Sequence, residues 1–101
     1  MAKIVWTGPA SSDVREIVEY IALDNPEAAS KVAARIERHV KILERHPLIG
    51  SFVPEMSSST LKQLVEPPCR IFYRVENDKV NILHVLRFER LLRPRFFEDN
   101  E

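Results

Sequence analysis

Two stretches of eight residues, in each of which apolar residues recur at nearly every second position, are separated by only two residues. They constrain the fold more than any other part of this chain. Cys69 to Glu76 reads CRIFYRVE, Lys79 to Leu86 reads KVNILHVL, and Asn77-Asp78 lies between them. Alternation of this kind predicts β-strands, and both Asn and Asp tolerate the positive φ that a two-residue turn requires. The sequence therefore predicts an antiparallel hairpin near its C-terminal end.

The position of the turn also predicts the pairing of residues across this hairpin. We expect Glu76 opposite Lys79, Arg74 opposite Asn81, Phe72 opposite Leu83 and Arg70 opposite Val85. Alternation then gives the hairpin two faces. The face expected to pack on the rest of the protein carries Ile71, Tyr73, Val75, Val80, Ile82, His84 and Leu86. The face expected to be exposed carries Arg70, Phe72, Arg74, Glu76, Lys79, Asn81, Leu83, Val85 and Arg87.

The N-terminal part predicts a strand and then a helix. Lys3 to Thr7 (KIVWT) is short and rich in β-branched residues, and Gly8-Pro9 follows it, which is typical of a strand that ends in a turn. A helix is expected from Pro9, with capping oxygens supplied by Ser11, Ser12 and Asp13. The apolar stripe of this helix consists of Val14, Ile17, Val18 and Ile21.

A second helix is expected after a short connection. Asp24-Asn25-Pro26 interrupts the first helix, because a residue before proline avoids the helical conformation, and Asn25 is placed to cap the next one. The second helix should run from Pro26 to His46-Pro47, with apolar residues at spacings of three and four. So short a connection predicts an antiparallel helical hairpin.

The remaining segment completes the predicted architecture. Residues 47–60 contain two prolines, a glycine and three consecutive serines, which predicts a loop, with Phe52, Val53 and Met56 attaching it to the core. Leu61 to Glu66 predicts a further strand, which Pro67-Pro68 separates from the hairpin. The expected fold class is α+β, in the order β-α-α-β-β-β. It forms one domain over residues 1–97, followed by an acidic tail at 98–101.

The charges are unevenly distributed along the chain. Its 101 residues carry 15 basic and 15 acidic side chains, so the formal net charge is zero. Residues 1–61 carry seven basic and eight acidic groups, residues 62–97 eight and four, and residues 98–101 three acidic groups. Neutrality argues against indiscriminate binding to nucleic acid, but the predicted hairpin presents a local positive surface that suits a particular partner.

Several classes of site are not expected. The two glycines are too few for a glycine-rich phosphate loop, and His39 and His46 lack the spacing of a helical metal pair, so no cofactor or metal is expected. The single cysteine, Cys69, cannot form an internal disulfide and is expected to be a buried structural residue. No apolar run is long enough to span a membrane, and no signal peptide is apparent. We therefore expect a cytoplasmic protein.

Arginines near the hairpin allow two interpretations. Guanidinium groups bind phosphate in a bidentate manner, and a cluster of them could stabilise the transition state of RNA cleavage. His84 is the histidine of this region, and an imidazole is the side chain that most often serves as an acid or a base in catalysis. The structural interpretation makes His84 a hydrogen-bonded residue at the sheet edge and makes the arginines a binding surface. The group under discussion is Arg70, Tyr73, Arg74, His84, Arg87, Glu89 and Arg90.

The order of elements and the sequence itself resemble the ParE/RelE family of toxins from bacterial type II toxin–antitoxin modules. The resemblance covers roughly residues 3–92. Its most specific part is RIFYRVENDKVNILHVLRFER, which is similar to the final hairpin of the family, and DVREIVEYIALDNPEAA is similar to its helical hairpin. The family has one branch that cleaves messenger RNA on the ribosome, RelE, and one that inhibits DNA gyrase, ParE.

The residues of the RNA-cleaving branch are matched only in part. Its first arginine matches Arg70, whereas its lysines fall near Leu61 and Gln63, with Lys62 between them on the opposite face. Its second arginine falls near Phe88, one place from Arg87, and its C-terminal tyrosine falls near Pro94. The resemblance therefore implies the ParE branch, with which the long helical hairpin also agrees.

The resemblance implies a toxin of a plasmid-stabilisation module that inhibits gyrase and is neutralised by a cognate antitoxin wrapped across the helices and sheet, in a higher-order hetero-oligomer. A ribosome-dependent messenger RNA endoribonuclease and an inactive member that only binds antitoxin remain as alternatives. As a nuclease, its candidate catalytic residues are Arg70, His84 and Arg87. The residues expected to bind the target or the antitoxin are Arg70, Phe72, Arg74, Leu83, Val85, Arg87 and Arg90.

Overall fold

A computed structural model describes residues 1–56, 59–93 and 95–97 of the chain. Its helices are α1 (Gly8–Ala22) and α2 (Pro26–Lys41), and short 3-10 turns follow at Ile42–Glu44 and Pro54–Met56. Its strands are β1 (Lys3–Trp6), β2 (Ser51–Phe52), β3 (Lys62–Glu66), β4 (Cys69–Glu76) and β5 (Lys79–Arg87). They form one sheet in the order β1-β5-β4-β3-β2, in which β1 is parallel to β5 and the other pairs are antiparallel. The predicted α+β class is confirmed, and β2 is an addition to the predicted strands.

The helices begin at polar residues that satisfy their first backbone N–H groups. Thr7 caps α1, since its side-chain oxygen accepts a hydrogen bond of 3.3 Å from the Ala10 N–H. The predicted capping by Ser11, Ser12 and Asp13 is therefore wrong, because these residues lie within the helix. Asn25 caps α2 as predicted, through a 3.0 Å bond from the Ala28 N–H.

The hairpin of β4 and β5 has the predicted turn but a different register beyond its middle. Asn77 has a φ of 58°, and the pairs Glu76–Lys79 and Arg74–Asn81 are confirmed. A bulge then follows, because Tyr73 pairs with Ile82 while the next residue, Phe72, pairs with His84. Leu83 is the additional residue on β5. The predicted pairs Phe72–Leu83 and Arg70–Val85 are wrong, and Arg70 pairs with Leu86.

The bulge exchanges the faces of the last residues of β5. The helix face of the sheet, which packs against α1 and α2, includes Val80, Ile82 and Val85. The second face of the sheet includes Leu83 and Leu86. Val85 and Leu86 therefore lie on the faces opposite to those predicted, since one extra residue reverses a period of two.

The second face is covered rather than exposed. Phe72, Leu83 and Val85 are buried, so the expectation that they form an exposed surface is wrong. Phe72 and Leu83 lie in an apolar cluster on the second face, whereas Val85 lies in the core beneath the helices. Two segments outside the hairpin supply the rest of the second cluster. They contribute Val53 and Leu61 from the loop side and Leu92 and Phe97 from the C-terminal side.

The segment between α2 and β3 is attached to the sheet through Gly50. The Gly50 N–H donates a 2.9 Å hydrogen bond to the hydroxyl of Tyr73, which is completely buried. Val53 is buried as expected and Met56 is half-buried, but Phe52 is largely exposed. Among the described residues, no helix is long and apolar enough to cross a membrane. The predicted acidic tail at 98–101 lies outside the described residues.

Candidate functional site

Arg70 is held by two neighbours on the second face of the sheet. Its Nη1 and Nη2 donate hydrogen bonds of 2.8 and 2.9 Å to the two carboxylate oxygens of Glu55, and its Nε donates one of 2.9 Å to Oε1 of Gln63. Its guanidinium also lies 4.8 Å from the centre of the Phe72 ring. The side chain of Arg70 is only 16% exposed. The expectation that Arg70 is freely exposed on this face is therefore wrong.

Glu55 owes its position to the 3-10 turn Pro54–Met56, which lies beside Val53 of the second cluster. The hydrogen bonds from Arg70 lower the pKa of the Glu55 carboxyl below its ordinary value, because they favour the ionised form. A carboxylate therefore occupies both terminal nitrogens of Arg70, the geometry in which a guanidinium binds phosphate. Sequence reasoning missed Glu55, since a residue in a loop has no periodicity that would bring it to Arg70.

His84 is tied to α1 and to the C-terminal segment. Its Nδ1 lies 2.8 Å from Oδ2 of Asp13, and the same oxygen accepts a 2.9 Å bond from the Val85 N–H. The ring centres of Phe96 and Phe97 lie 5.4 and 5.5 Å from that of His84. Strand β1 pairs with β5 only as far as Ile82, so Asp13 supplies an acceptor where strand pairing has stopped. This arrangement agrees with the structural interpretation of His84.

Arg87 lies on the helix face, away from Arg70. Its guanidinium carbon is 4.2 Å from the centre of the Tyr20 ring of α1, and its Nη1 donates a 2.9 Å hydrogen bond to Glu89. The expectation that Arg87 shares a face with Arg70 is wrong. The additional residue of the bulge, Leu83, reverses the face of the residues that follow on β5. The three nuclease candidates, Arg70, His84 and Arg87, thus have separate hydrogen-bond partners.

The positions carried over from the RNA-cleaving branch do not assemble a cationic site on the second face. Leu61 is fully buried, and Gln63 bonds to Arg70. Lys62 lies 4.3 Å above the ring of Phe52 at the edge of the sheet. Phe88 is half exposed, and Pro94 lies outside the described residues. At the two positions near which the resemblance places lysines of that branch, this chain therefore has an apolar and an amide side chain.

The remaining predicted residues differ in accessibility. Arg90 is exposed and Arg74 is half-buried. Cys69 is buried as predicted, and burial raises the pKa of its thiol to about 11, so the thiol stays protonated at neutral pH. Within residues 1–56, 59–93 and 95–97, no three His, Cys, Asp or Glu side chains are grouped so as to hold a metal ion. The binding roles assigned to the arginines stay predictions.

Comparison with known proteins places this fold. Residues 4–92 match the model of the ParE toxin of the type II toxin–antitoxin system parDE. The chain belongs to this family. It is 34% identical over 92 residues to toxin RelE2 of Caulobacter vibrioides, covering 90% of this chain and all of that protein. The predicted ParE/RelE family is thereby confirmed.

Solved structures show the same architecture. A chain of the chromosomal ParDE system of P. aeruginosa is 30% identical, with a TM-score of 0.69, covering 88% of this chain and 98% of that one. A chain of the RelBE2 toxin–antitoxin complex of Mycobacterium tuberculosis is 21% identical, with a TM-score of 0.58 and coverages of 85% and 96%. The second likeness concerns the fold alone.

Proposed function

We propose that this ParE-family protein acts as a toxin by inhibiting DNA gyrase and that a cognate antitoxin neutralises it by direct binding. The observation that carries the choice of target is the state of Arg70. It is the one residue that matches the RNA-cleaving set at its own position, and Glu55 occupies both of its terminal nitrogens. A phosphate would have to displace a carboxylate that is part of the same chain, which disfavours the cleavage of RNA at this place.

The antitoxin as partner is supported by the relatives. The solved neighbours come from a ParDE system and from a RelBE2 toxin–antitoxin complex. The covered second face of the sheet leaves the C-terminal arginines Arg90, Arg93 and Arg95 as an accessible surface. An exposed cationic surface of this kind suits a protein partner that carries acidic side chains.

Messenger RNA cleavage is a second candidate, and one observation favours it. The relative named RelE2 is 34% identical over 92 residues, which cover 90% of this chain, and this likeness is as strong as that to the ParDE chain. An inactive member that only binds antitoxin is a third candidate. These candidates differ in what the purified protein does to gyrase and to messenger RNA.

The decisive experiment measures both activities of the same preparation. We expect the purified toxin to inhibit supercoiling by gyrase, added antitoxin to relieve the inhibition, and the ends of messenger RNA to stay unchanged after induction in cells. Arg38, an exposed residue of α2, provides the control. We expect Arg70→Ala and Arg38→Ala to inhibit gyrase equally well. Cleavage within ribosome-bound messages, lost in Arg70→Ala but kept in Arg38→Ala, would establish the nuclease instead.

A further inference from the structure

A cleft beside the second half of α2 is separate from the residues considered so far. It lies between strand β1, the first half of α1 and the C-terminal half of α2, and its volume is about 600 Å³. We call it the β1–α2 cleft. Among the described residues, its lining includes neither the three nuclease candidates nor the exposed C-terminal arginines. Sites that bind small molecules have volumes of about 300 to 1,000 Å³, so the cleft has the size of such a site.

The walls of the cleft are apolar. Ile4 and Trp6 are two residues apart on β1, so alternation places both side chains on one face of the strand, where they pack against the core beneath the helices. Val14 of α1 packs against the same core. These three side chains are only half-buried, so they retain apolar surface whose removal from water favours binding of an apolar group. Ile36 and Val40 of α2 complete the wall and are buried.

The rim of the cleft carries more negative than positive charge. Glu37 and Lys41 line it from α2, and Glu44 lines it from the 3-10 turn that follows. Within residues 1–56, 59–93 and 95–97, none of these three side chains forms an ion pair. The same described residues supply no other charged side chain to the lining. Two carboxylates are therefore available to a ligand against one ammonium group.

The charge of the rim distinguishes between cationic and anionic ligands. A cation at the rim is attracted by Glu37 and Glu44 and repelled by Lys41, whereas an anion meets the opposite balance. The ring of Trp6 adds to this preference, because the face of an indole attracts a cation. The walls select for a second property, since a fully polar cation would leave the apolar surface of the cleft in contact with water. The cleft therefore matches a ligand that is both cationic and apolar.

We propose that the β1–α2 cleft binds an amphiphilic cation, that is, a small molecule with an aliphatic or aromatic body and one ammonium group. The apolar body lies against Ile4, Trp6 and Val14, and the ammonium group lies at the rim with Glu37 and Glu44. The proposal depends neither on the inhibition of gyrase nor on neutralisation by an antitoxin, because it concerns a different part of the surface.

The single tryptophan of the chain provides a direct measurement, because Trp6 is part of the wall. The full-length protein is titrated with octylammonium chloride, below the concentration at which the probe forms micelles, and the tryptophan emission is recorded. We expect a saturable shift of the emission to shorter wavelength, since the probe displaces water from the indole. Octanoate has a chain of the same length and the opposite charge. It should bind at least about tenfold more weakly.

A pair of charge-removing variants tests the position of the ammonium group. Glu37→Gln combined with Glu44→Gln should weaken the binding of octylammonium about tenfold or more, because the rim then keeps only Lys41. Glu16→Gln combined with Glu19→Gln makes the same change of net charge on the exposed face of α1, outside this cleft. It should change the affinity by less than about twofold, because water and salt screen the distant charges. Thermal melting of both variants checks that the fold is kept.

The contrary outcomes are equally defined. An emission spectrum that shows no saturable change with octylammonium would overturn the proposal. Equal affinities for octylammonium and octanoate would show that the cleft does not select a cation, and the proposal would again be wrong. Equal weakening in the two double variants would mean that the net charge of the protein, and not the rim, attracts the probe. An emission shift that appears on raising the protein concentration without any probe would show that a second copy of the chain covers the cleft instead.

Discussion

Arg70 shows how a single ion pair can link a loop to a sheet. Its guanidinium bonds to Gln63 on the neighbouring strand β3 and to Glu55 in the turn Pro54–Met56. Arg70 is only slightly exposed, whereas Glu55 is close to half exposed, so water screens the pair on one side. The contact is therefore stabilising, but by less than a fully buried pair of the same geometry.

Removing the charge of Glu55 should destabilise the protein modestly. We expect Glu55→Gln to lower the free energy of unfolding at pH 7 by about 1 kcal/mol, because the amide has no charge and only one of the two oxygens that accept from Arg70. Glu27→Gln is the control, since Glu27 pairs with Lys31 at 3.4 Å on the exposed face of α2. Its expected change is about 0.3 to 0.5 kcal/mol. Urea unfolding measures both, and equal effects would contradict this assignment.

The same variant has a defined dependence on pH. Arg70 lowers the pKa of Glu55 in the folded protein below its ordinary value of 4.5. The stabilisation from this pair is therefore fully present above the pKa that Glu55 has in the unfolded protein. It is lost as the pH falls through the pKa that Glu55 has in the folded protein. The difference between wild type and Glu55→Gln should shrink below about pH 4.5. A difference that grows on acidification would show that Glu55 is stabilised in its neutral form instead.

At the scale of elements, the sequence predicts the helices and turns that depend on local pattern. It does not predict the strand register beyond an inserted residue. The turn at Asn77, both helices and the α2 cap at Asn25 follow from short-range signals. The bulge at Leu83 carries no such signal, since the hydrophobic run around it suits either register. That one residue moved Val85 from the expected surface into the core. Phe72 and Leu83 keep the predicted face and are buried instead by the loop and the C-terminal segment that cover it.

The attachment of the β2 segment to β4 can be tested at Gly50. A Cβ atom added there would lie 2.5 Å from the Tyr73 hydroxyl and 2.6 Å from the backbone oxygen of Gln63. We expect Gly50→Ala to destabilise the protein by about 1 to 3 kcal/mol, because a backbone atom cannot yield as a side chain can. A fall in melting temperature of about 4 to 8 °C per kcal/mol is the expected readout.

Gly8 provides the matched control. A Cβ there would meet nothing within 4 Å, and no glycine in the described chain has a positive φ. Gly8→Ala should therefore change stability by less than about 1 kcal/mol, in the direction of greater stability. Similar destabilisation by both substitutions would mean that the chain flanking Gly50 yields more easily than the structure indicates.

At the scale of the whole molecule, the sheet separates two apolar clusters. The larger cluster lies under the helices and includes Ile36, Ile71 and Tyr73. The smaller one lies on the second face, with Phe72 at its centre and Phe97 covering it. The fold class follows from hydrophobic patterning. The sequence also predicts the attachment of the loop through Val53 and Met56, but not the cover supplied by the C-terminal segment, where residues lack regular spacing.

The second cluster should contribute to global stability and not merely shield the sheet. Phe97 is buried, and its ring centre lies 5.7 Å from that of Phe72. We expect Phe97→Ala to lower the free energy of unfolding by about 3 kcal/mol, through lost burial and a residual cavity. Phe52→Ala should lower it by less than about 1 kcal/mol, because Phe52 is 65% exposed and loses mainly its contact with Lys62. Urea unfolding of both variants should give single cooperative transitions. Equal urea midpoints for the two variants would show that the C-terminal segment does not contribute to cooperative unfolding. The second face of the sheet would then be accessible to a partner.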